Sequence, residues 1–412
     1  MRKNRIKNIF NSLLVLILFS FPGVFQSCDE YPYEYETTDG LPTVNYIRVS
    51  DPDKADSLIV RASLEQTIVL IGENLTSITE MWFNDQEASL NTSFISSTAL
   101  FVTIPSGIPE EVTDKIYMIA GSDTVDYDFN VIVPAPKPTS MLCEYVADGD
   151  EAVIKGNYFI DDPNVPLQVF FPGNIEAEVV SVSEDYDEVT VIVPEGSGVG
   201  PLTVKGIYGS SRSSFYFRDD RNIFLDFDTK TADGGWRSGV TDSVGGINGY
   251  YVKFSGTIPG DLSDWNEDPF SFNYWPASTA RTDDDDQVLW EGDLSEAVLK
   301  FEVNVTSAWS GNALQMIFTP ASVSGTNSYI ADGSPRGLWI PWESTGSYMT
   351  DGWITVSFKL TDFTYTHTGA TSETTFDNSF LSGLTFFVYH GGVEGTECTP
   401  TILIDNIRVV PK

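Results

Sequence analysis

The chain has 412 residues, 41% of them hydrophobic, with 59 acidic against 23 basic side chains and a formal net charge of -36. That length allows roughly two to four domains with real cores, and the charge excludes nucleic acid and anionic lipid headgroups as partners, because both require basic surfaces. Beyond Cys28 only Cys143 and Cys398 remain, far apart in sequence, so both read as buried thiols rather than parts of a disulfide framework.

Residues 1–27 begin with Arg2, Lys3, Arg5 and Lys7, continue in an apolar run from Leu13 to Phe21, and end in small and polar residues before Cys28. This is the pattern of a secretory signal peptide, too short for an ordinary membrane span. Phe25-Gln26-Ser27-Cys28 resembles a bacterial lipobox, which implies acylation of Cys28 and anchoring in the outer membrane. The alternative is plain secretion. Residues 28–40 carry Asp29, Glu30, Glu34, Glu36 and Asp39 with no Lys or Arg, and read as a flexible tether that cannot bury enough apolar area to fold. An acidic patch just after the cysteine also resembles the surface-export signal of Bacteroides-type lipoproteins.

From residue 41 to 134 and from 135 to 218, short runs rich in Val, Ile, Thr and Phe alternate with Gly, Pro, Asn and Asp turns, with no sustained helical period. The two segments repeat one another. Ile71-Gly72-Glu73-Asn74-Leu75 answers Lys155-Gly156-Asn157-Tyr158-Phe159, Met81-Trp82-Phe83-Asn84 answers Val169-Phe170-Phe171-Pro172, and Val102-Thr103-Ile104-Pro105 answers Val191-Ile192-Val193-Pro194. The offset is about 85 residues, the size of a β-sandwich. These motifs, with Pro194-Glu195-Gly196 and Gly200-Pro201-Leu202-Thr203-Val204, resemble the IPT/TIG family of immunoglobulin-like domains, commonly spacers. Pro134-Ala135-Pro136-Lys137-Pro138 reads as a stiff connector between them.

Residues 222–412 hold eight of the nine tryptophans. The segment opens with Ile223-Phe224-Leu225-Asp226-Phe227-Asp228 and closes with Ile402-Leu403-Ile404-Asp405-Asn406-Ile407-Arg408-Val409, alternating runs that resemble the paired end strands of a jelly-roll carbohydrate-binding module. The expected fold class is thus all-β: two tandem Ig-like (IPT/TIG) sandwiches followed by a C-terminal jelly-roll-like sandwich. Eight indoles exceed what one sandwich core readily buries, and flat amphipathic rings on a rigid non-basic scaffold suit stacking on sugars. Trp275 with Tyr274 beside Asn273 and Pro276, Trp309 among small polar neighbours, at least one of Trp339 and Trp342, and Trp265 between Asp264 and Asn266 are the candidate stacking rings. Gln315, Asn273 and Arg336 are candidates for bonding sugar hydroxyls. Trp353, directly after Gly352 at the start of an apolar strand, reads as core.

No cofactor is required by this reading. Asp226, Asp228 and Asp405 could share a structural Ca2+, since carboxylate oxygens suit that ion, or could equally be solvated or turn-capping aspartates. Two histidines in no H-E-x-x-H pattern, and no C-x-x-C, give a transition metal no support.

A lipobox, tandem Ig-like repeats and a Trp-rich terminal domain with Trp339-Ile340-Pro341-Trp342, Asp351-Gly352-Trp353-Ile354-Thr355-Val356 and Leu360-Thr361-Asp362-Phe363 together resemble the surface glycan-binding protein B group of Sus-like polysaccharide-utilisation systems, and its xyloglucan-binding domain type. The resemblance implies a non-catalytic lipoprotein that holds an extended β-glucan (xyloglucan, mixed-linkage or β-1,3-glucan) beside an outer-membrane importer. The other readings are a glycoside hydrolase, which needs only two suitably spaced carboxylates, and an adhesin that binds protein through the Ig-like array.

Overall fold

The computed structural model describes residues 37–230, 240–241, 244–262, 271–274, 288–322 and 335–412. Among them there is no α-helix: strands and short 3-10 turns carry the fold. The chain divides into two compact units at Pro134/Ala135.

The first unit contains β1 (Thr43–Val49), β2 (Arg61–Ser63), β3 (Thr67–Glu73), β4 (Glu80–Phe83), β5 (Gln86–Ala88), β6 (Ala99–Thr103), β7 (Lys115–Ala120), β8 (Asp123–Asp128) and β9 (Asn130–Ile132). A β1-β3-β6 sheet faces a β5-β4-β7-β8 sheet across one core, and β2 pairs with β9 in parallel. β7 shows the cause: every second residue is buried, so Ile116 and Met118 meet Ile68, Leu70, Phe83 and Leu100 while their neighbours turn outward.

The second unit opens with another sandwich: β10 (Lys137–Met141), β11 (Glu151–Asn157), β12 (Gln168–Phe171), β13 (Ile175–Val182), β14 (Glu188–Ile192), β15 (Thr203–Gly206) and β16 (Gly209–Arg212). β13 serves both layers, pairing with β12 through Ile175–Ala177 and then with β14 through its second half. Lys137 and Pro138, expected in a connector, are instead the start of β10, and Ser211 donates to the Pro136 carbonyl. The sequence repeat is a repeated device. Gly72 lies against β1, and Gly156 against β10, each beside a bulge in the partner strand. A Cβ on Gly72 would stand 1.8 Å from the Thr43 carbonyl oxygen, and one on Gly156 2.2 Å from that of Lys137, so neither site admits a side chain.

The remainder forms the C-terminal sandwich: β17 (Ile223–Leu225), β18 (Val240–Thr241), β19 (Tyr251–Ser255), β20 (Ser271–Tyr274), β21 (Ala297–Val305), β22 (Ala313–Thr319), β23 (Gly337–Trp339), β24 (Ile354–Lys359), β25 (Gly383–Tyr389) and β26 (Thr401–Pro411). The larger sheet runs β18-β19-β26-β21-β24, with β17 also on β26, so the first and last strands are paired. The smaller runs β20-β25-β22-β23. Between them lies an aromatic-rich core that includes Phe254, Phe272, Phe301, Phe318, Phe386 and Trp309.

Candidate functional site

A sandwich has two outer faces, and here they have different fates. On the larger sheet, strand alternation sends Leu299, Phe301 and Val303 of β21 into the core and Lys300 and Glu302 outward. Asn406, with φ of 49°, inserts a bulge in β26 that brings Arg408 opposite Lys300. The second sandwich docks on this face. Glu144 accepts from the Lys300 ammonium through Oε1 and from Arg408 Nη2 through Oε2 at 2.7 Å, while Arg408 also forks onto Glu302 at 2.7 and 2.9 Å. Thr355 Oγ1 donates to Glu302 and accepts from the Glu144 N–H, and the Arg408 guanidinium lies over the Tyr145 ring. Burial pushes the Glu302 carboxyl up, against the pull of Arg408. Two cations and two carboxylates, all deeply buried, fix the two domains together.

The smaller sheet lies across the core from the sheet on which the second sandwich docks. Cross-strand register places Ser271, Phe387 and Gln315 in one row and Asn273, Thr385 and Ile317 in the next, with Tyr389 beside Ala313 at the end. This face is polar where a second core would be apolar. Thr385 Oγ1 bonds Asn273 Oδ1 at 2.8 Å, and Arg336 Nη1 donates to Gln315 Oε1 at 3.1 Å. Gln315 Nε2 donates in turn to the His367 carbonyl at 2.8 Å, and Arg336 exchanges both backbone bonds with Tyr365. The network therefore holds the hairpin around residues 365–371 at the Tyr389 end of the sheet. There the Phe387, Tyr389 and His367 rings follow one another nearly parallel, at 6.2 and 6.1 Å with interplanar angles of 13° and 20°. Phe387 is buried, Tyr389 and His367 are half-buried, and Tyr365 is 40% exposed. His390 adjoins Tyr389 at 4.2 Å; burial, and then His367, lower its pKa, and its Nδ1 accepts the Gly392 N–H. The result is a row of rings on a rigid polar support, open at one end.

The predicted stacking rings fare differently. Trp309 is 0% exposed. Its backbone is bridged to Tyr348 on both sides and its indole N–H donates to the Asn312 carbonyl, so the loop folds the ring into the sandwich. Trp342 is buried against Gly395, where a Cβ would collide with the ring. Tyr274 is buried because alternation puts it with Phe272 on the core face of β20, beside Phe224. Trp339 is half-buried, packed edgewise on Phe301, Trp309 and Tyr348. Trp339 thus keeps partial exposure, whereas the three buried rings, Trp309, Trp342 and Tyr274, are corrections to the expected platform. Gln315 is another: both ends of its amide are used inside the protein, so it positions the His367 hairpin rather than meeting sugar directly. It does share one face with Arg336 and Asn273. Trp353 is not in the core but half-buried at the domain junction. Trp265, Trp275 and Cys28 lie outside the described residues. The partly exposed rings Tyr365, His367 and Tyr389 were missed, although Thr385, Phe387 and Tyr389 fall on alternate positions of a strand whose other face is apolar.

Among the described residues no group of three metal-capable side chains forms. Asp226 caps a turn, accepting N–H bonds from Asp228, Thr229 and Lys230, and Asp228 accepts from the Tyr250 N–H. Asp405 is buried beside Glu302, and burial pushes its pKa up to about 8.

Comparison with known proteins places this architecture. The family described as "Surface glycan-binding protein B xyloglucan binding domain" matches residues 217–411. The crystal structure of the surface glycan-binding protein PbSGBP-B from Prevotella bryantii superposes with a TM-score of 0.75 at 32% identity, over 90% of this chain and 99% of that one. The chain belongs to the surface glycan-binding protein B family. An IPT/TIG domain-containing protein of Bacteroides ovatus is 29% identical over 196 residues, 44% of this chain and 39% of that relative's length. An SGBP-B from a complex xyloglucan utilization locus in Bacteroides uniformis aligns at 16% identity with a TM-score of 0.46, over 90% of this chain and 100% of that one.

Proposed function

We propose that this protein is a non-catalytic surface lipoprotein that holds an extended β-glucan through its C-terminal domain, for uptake by a Sus-like importer. The observation that carries the reading is the ring row at the Tyr389 end of the smaller sheet, across the core from the sheet on which the second sandwich docks. Tyr365, His367 and Tyr389 offer apolar ring faces with polar edges, the complement of a sugar ring, and their supports are fixed before ligand arrives. The matched family's description makes xyloglucan the first glucan to test, ahead of mixed-linkage and β-1,3-glucan. The strong negative charge is compatible with a neutral polymer. Cys28 would bear the lipid, and the first Ig-like domain would serve as spacer.

Isothermal titration of the full chain with xyloglucan oligosaccharide tests the site. Tyr389→Ala and His367→Ala are each expected to weaken binding about tenfold, by loss of a stacking ring, while leaving the melting temperature within a few degrees. Unchanged affinity in both variants would remove this face from the function.

A further inference from the structure

The buried ion network that docks the second sandwich also leaves a cleft of about 420 Å³ between the two domains, lined on one side by Leu142, Tyr145, Ala147 and Glu151 and on the other by Asp351 and Trp353. We propose that this cleft is a second binding site for the same neutral polysaccharide, with the Trp353 ring as its stacking surface. The inference rests on the glycan-binding reading above and adds a site to it.

Trp353 is held in place: its indole N–H donates to the Gly245 carbonyl at 3.0 Å and its ring packs in a T-shape with Tyr251, centroids 5.8 Å apart at 68°. With the N–H spent inside the protein, the half-buried ring offers its apolar face. Leu142, 42% exposed, adds apolar area, and the backbone of Thr355 donates to the Leu142 carbonyl at 2.8 Å, tying the two walls together. The charged side chains of the lining are the carboxylates of Asp150, Glu151 and Asp351, all on exposed residues, with no Lys or Arg among the lining residues. Such a lining repels phosphate, sulfate and uronic acid groups. A carboxylate accepts hydrogen bonds and donates none, so it selects a ligand edged with hydroxyls. An indole face beside hydroxyl acceptors fits a neutral sugar ring, and the volume lies within the range of small-ligand pockets. Because Glu144, Lys300, Glu302 and Arg408 lock the walls before ligand arrives, little ordering cost falls on binding. One polymer engaging both this cleft and the opposite sheet face would gain avidity within a single molecule.

The test uses the full chain with Trp353→Ala and, as a variant that cannot disturb the Trp353 packing, Ala147→Arg, which places a long side chain in the cleft from an exposed position. Melting curves establish that each is folded. With xyloglucan oligosaccharide, titration calorimetry is expected to give two sites per wild-type chain and one in either variant. With the polymer, each variant should lose on the order of tenfold in apparent affinity. One site in the wild type, with both variants binding as it does, overturns the second site and leaves the Tyr389 face standing. No binding by the wild type overturns both readings. Protection of the cleft by oligolysine but not by glucan would overturn it in favour of a basic peptide, the other ligand that acidic walls and an indole can hold.

Discussion

Replacing Trp309 with alanine removes a ring that solvent does not reach, so its effect belongs to stability. A loss of about 3–5 kcal/mol is expected from chemical denaturation; a variant that melts like the wild type but fails to bind glucan would return Trp309 to the binding surface. Asp405 makes a separate prediction at this scale. Its carboxyl titrates near pH 8 in the folded chain and near 3.8 when unfolded, because burial disfavours the charge. Below pH 4 both states hold the proton. Between there and pH 8 the folded chain alone keeps it, so the stability this group contributes falls as pH rises and is gone above about pH 8. Asp405→Asn retains an oxygen for the Asn406 N–H and cannot ionise, so its melting temperature relative to the wild type should climb from pH 5 to pH 9. A difference independent of pH would mean that Asp405 is ionised throughout.

At the scale of elements, the strands were legible in sequence and their loops were not. Alternation marked the end strands β17 and β26, and the Gly72/Gly156 repeat marked two domains of one kind, because the collision that excludes a side chain recurs in both. Accessibility was harder to read. Small polar neighbours around Trp309 suggested an open ring, but neighbours do not set where a loop aims a side chain, and the Trp309–Tyr348 bridge aims this one inward. Period-two parity would have sent Tyr274 to the core and Phe387 and Tyr389 to the other face. Gln315, Arg336 and Asn273 were identifiable by type and do share that face, yet the Arg336–Gln315 and Thr385–Asn273 bonds, and that of Gln315 to the His367 hairpin, depend on strand pairing that no local pattern encodes. Gln315→Ala should therefore act through the hairpin: binding weakens several-fold while Gln315→Glu, which keeps an acceptor for Arg336 but loses the donor to His367, weakens it too. Normal binding by both would free the hairpin from this support.

For the whole molecule, the second Ig-like domain is built into the binding domain. Glu144→Ala leaves Lys300 buried without its counter-charge and Arg408 with Glu302 alone, at a cost of about 3–5 kcal/mol. Loss of the joint should also separate one calorimetric transition for residues 135–412 into two; an unaltered melt would mean that the network adds nothing to docking. On the proposed reading, many anchored copies would engage one polymer, so modest affinity per site would suffice. The most direct measurement is electrophoresis of the full chain through gels containing xyloglucan, mixed-linkage glucan, β-1,3-glucan and an unrelated polysaccharide, with reducing-sugar release assayed in parallel. Retardation by a β-glucan with no sugar released is the predicted result; migration unchanged in every gel, or release of reducing sugar, would contradict it.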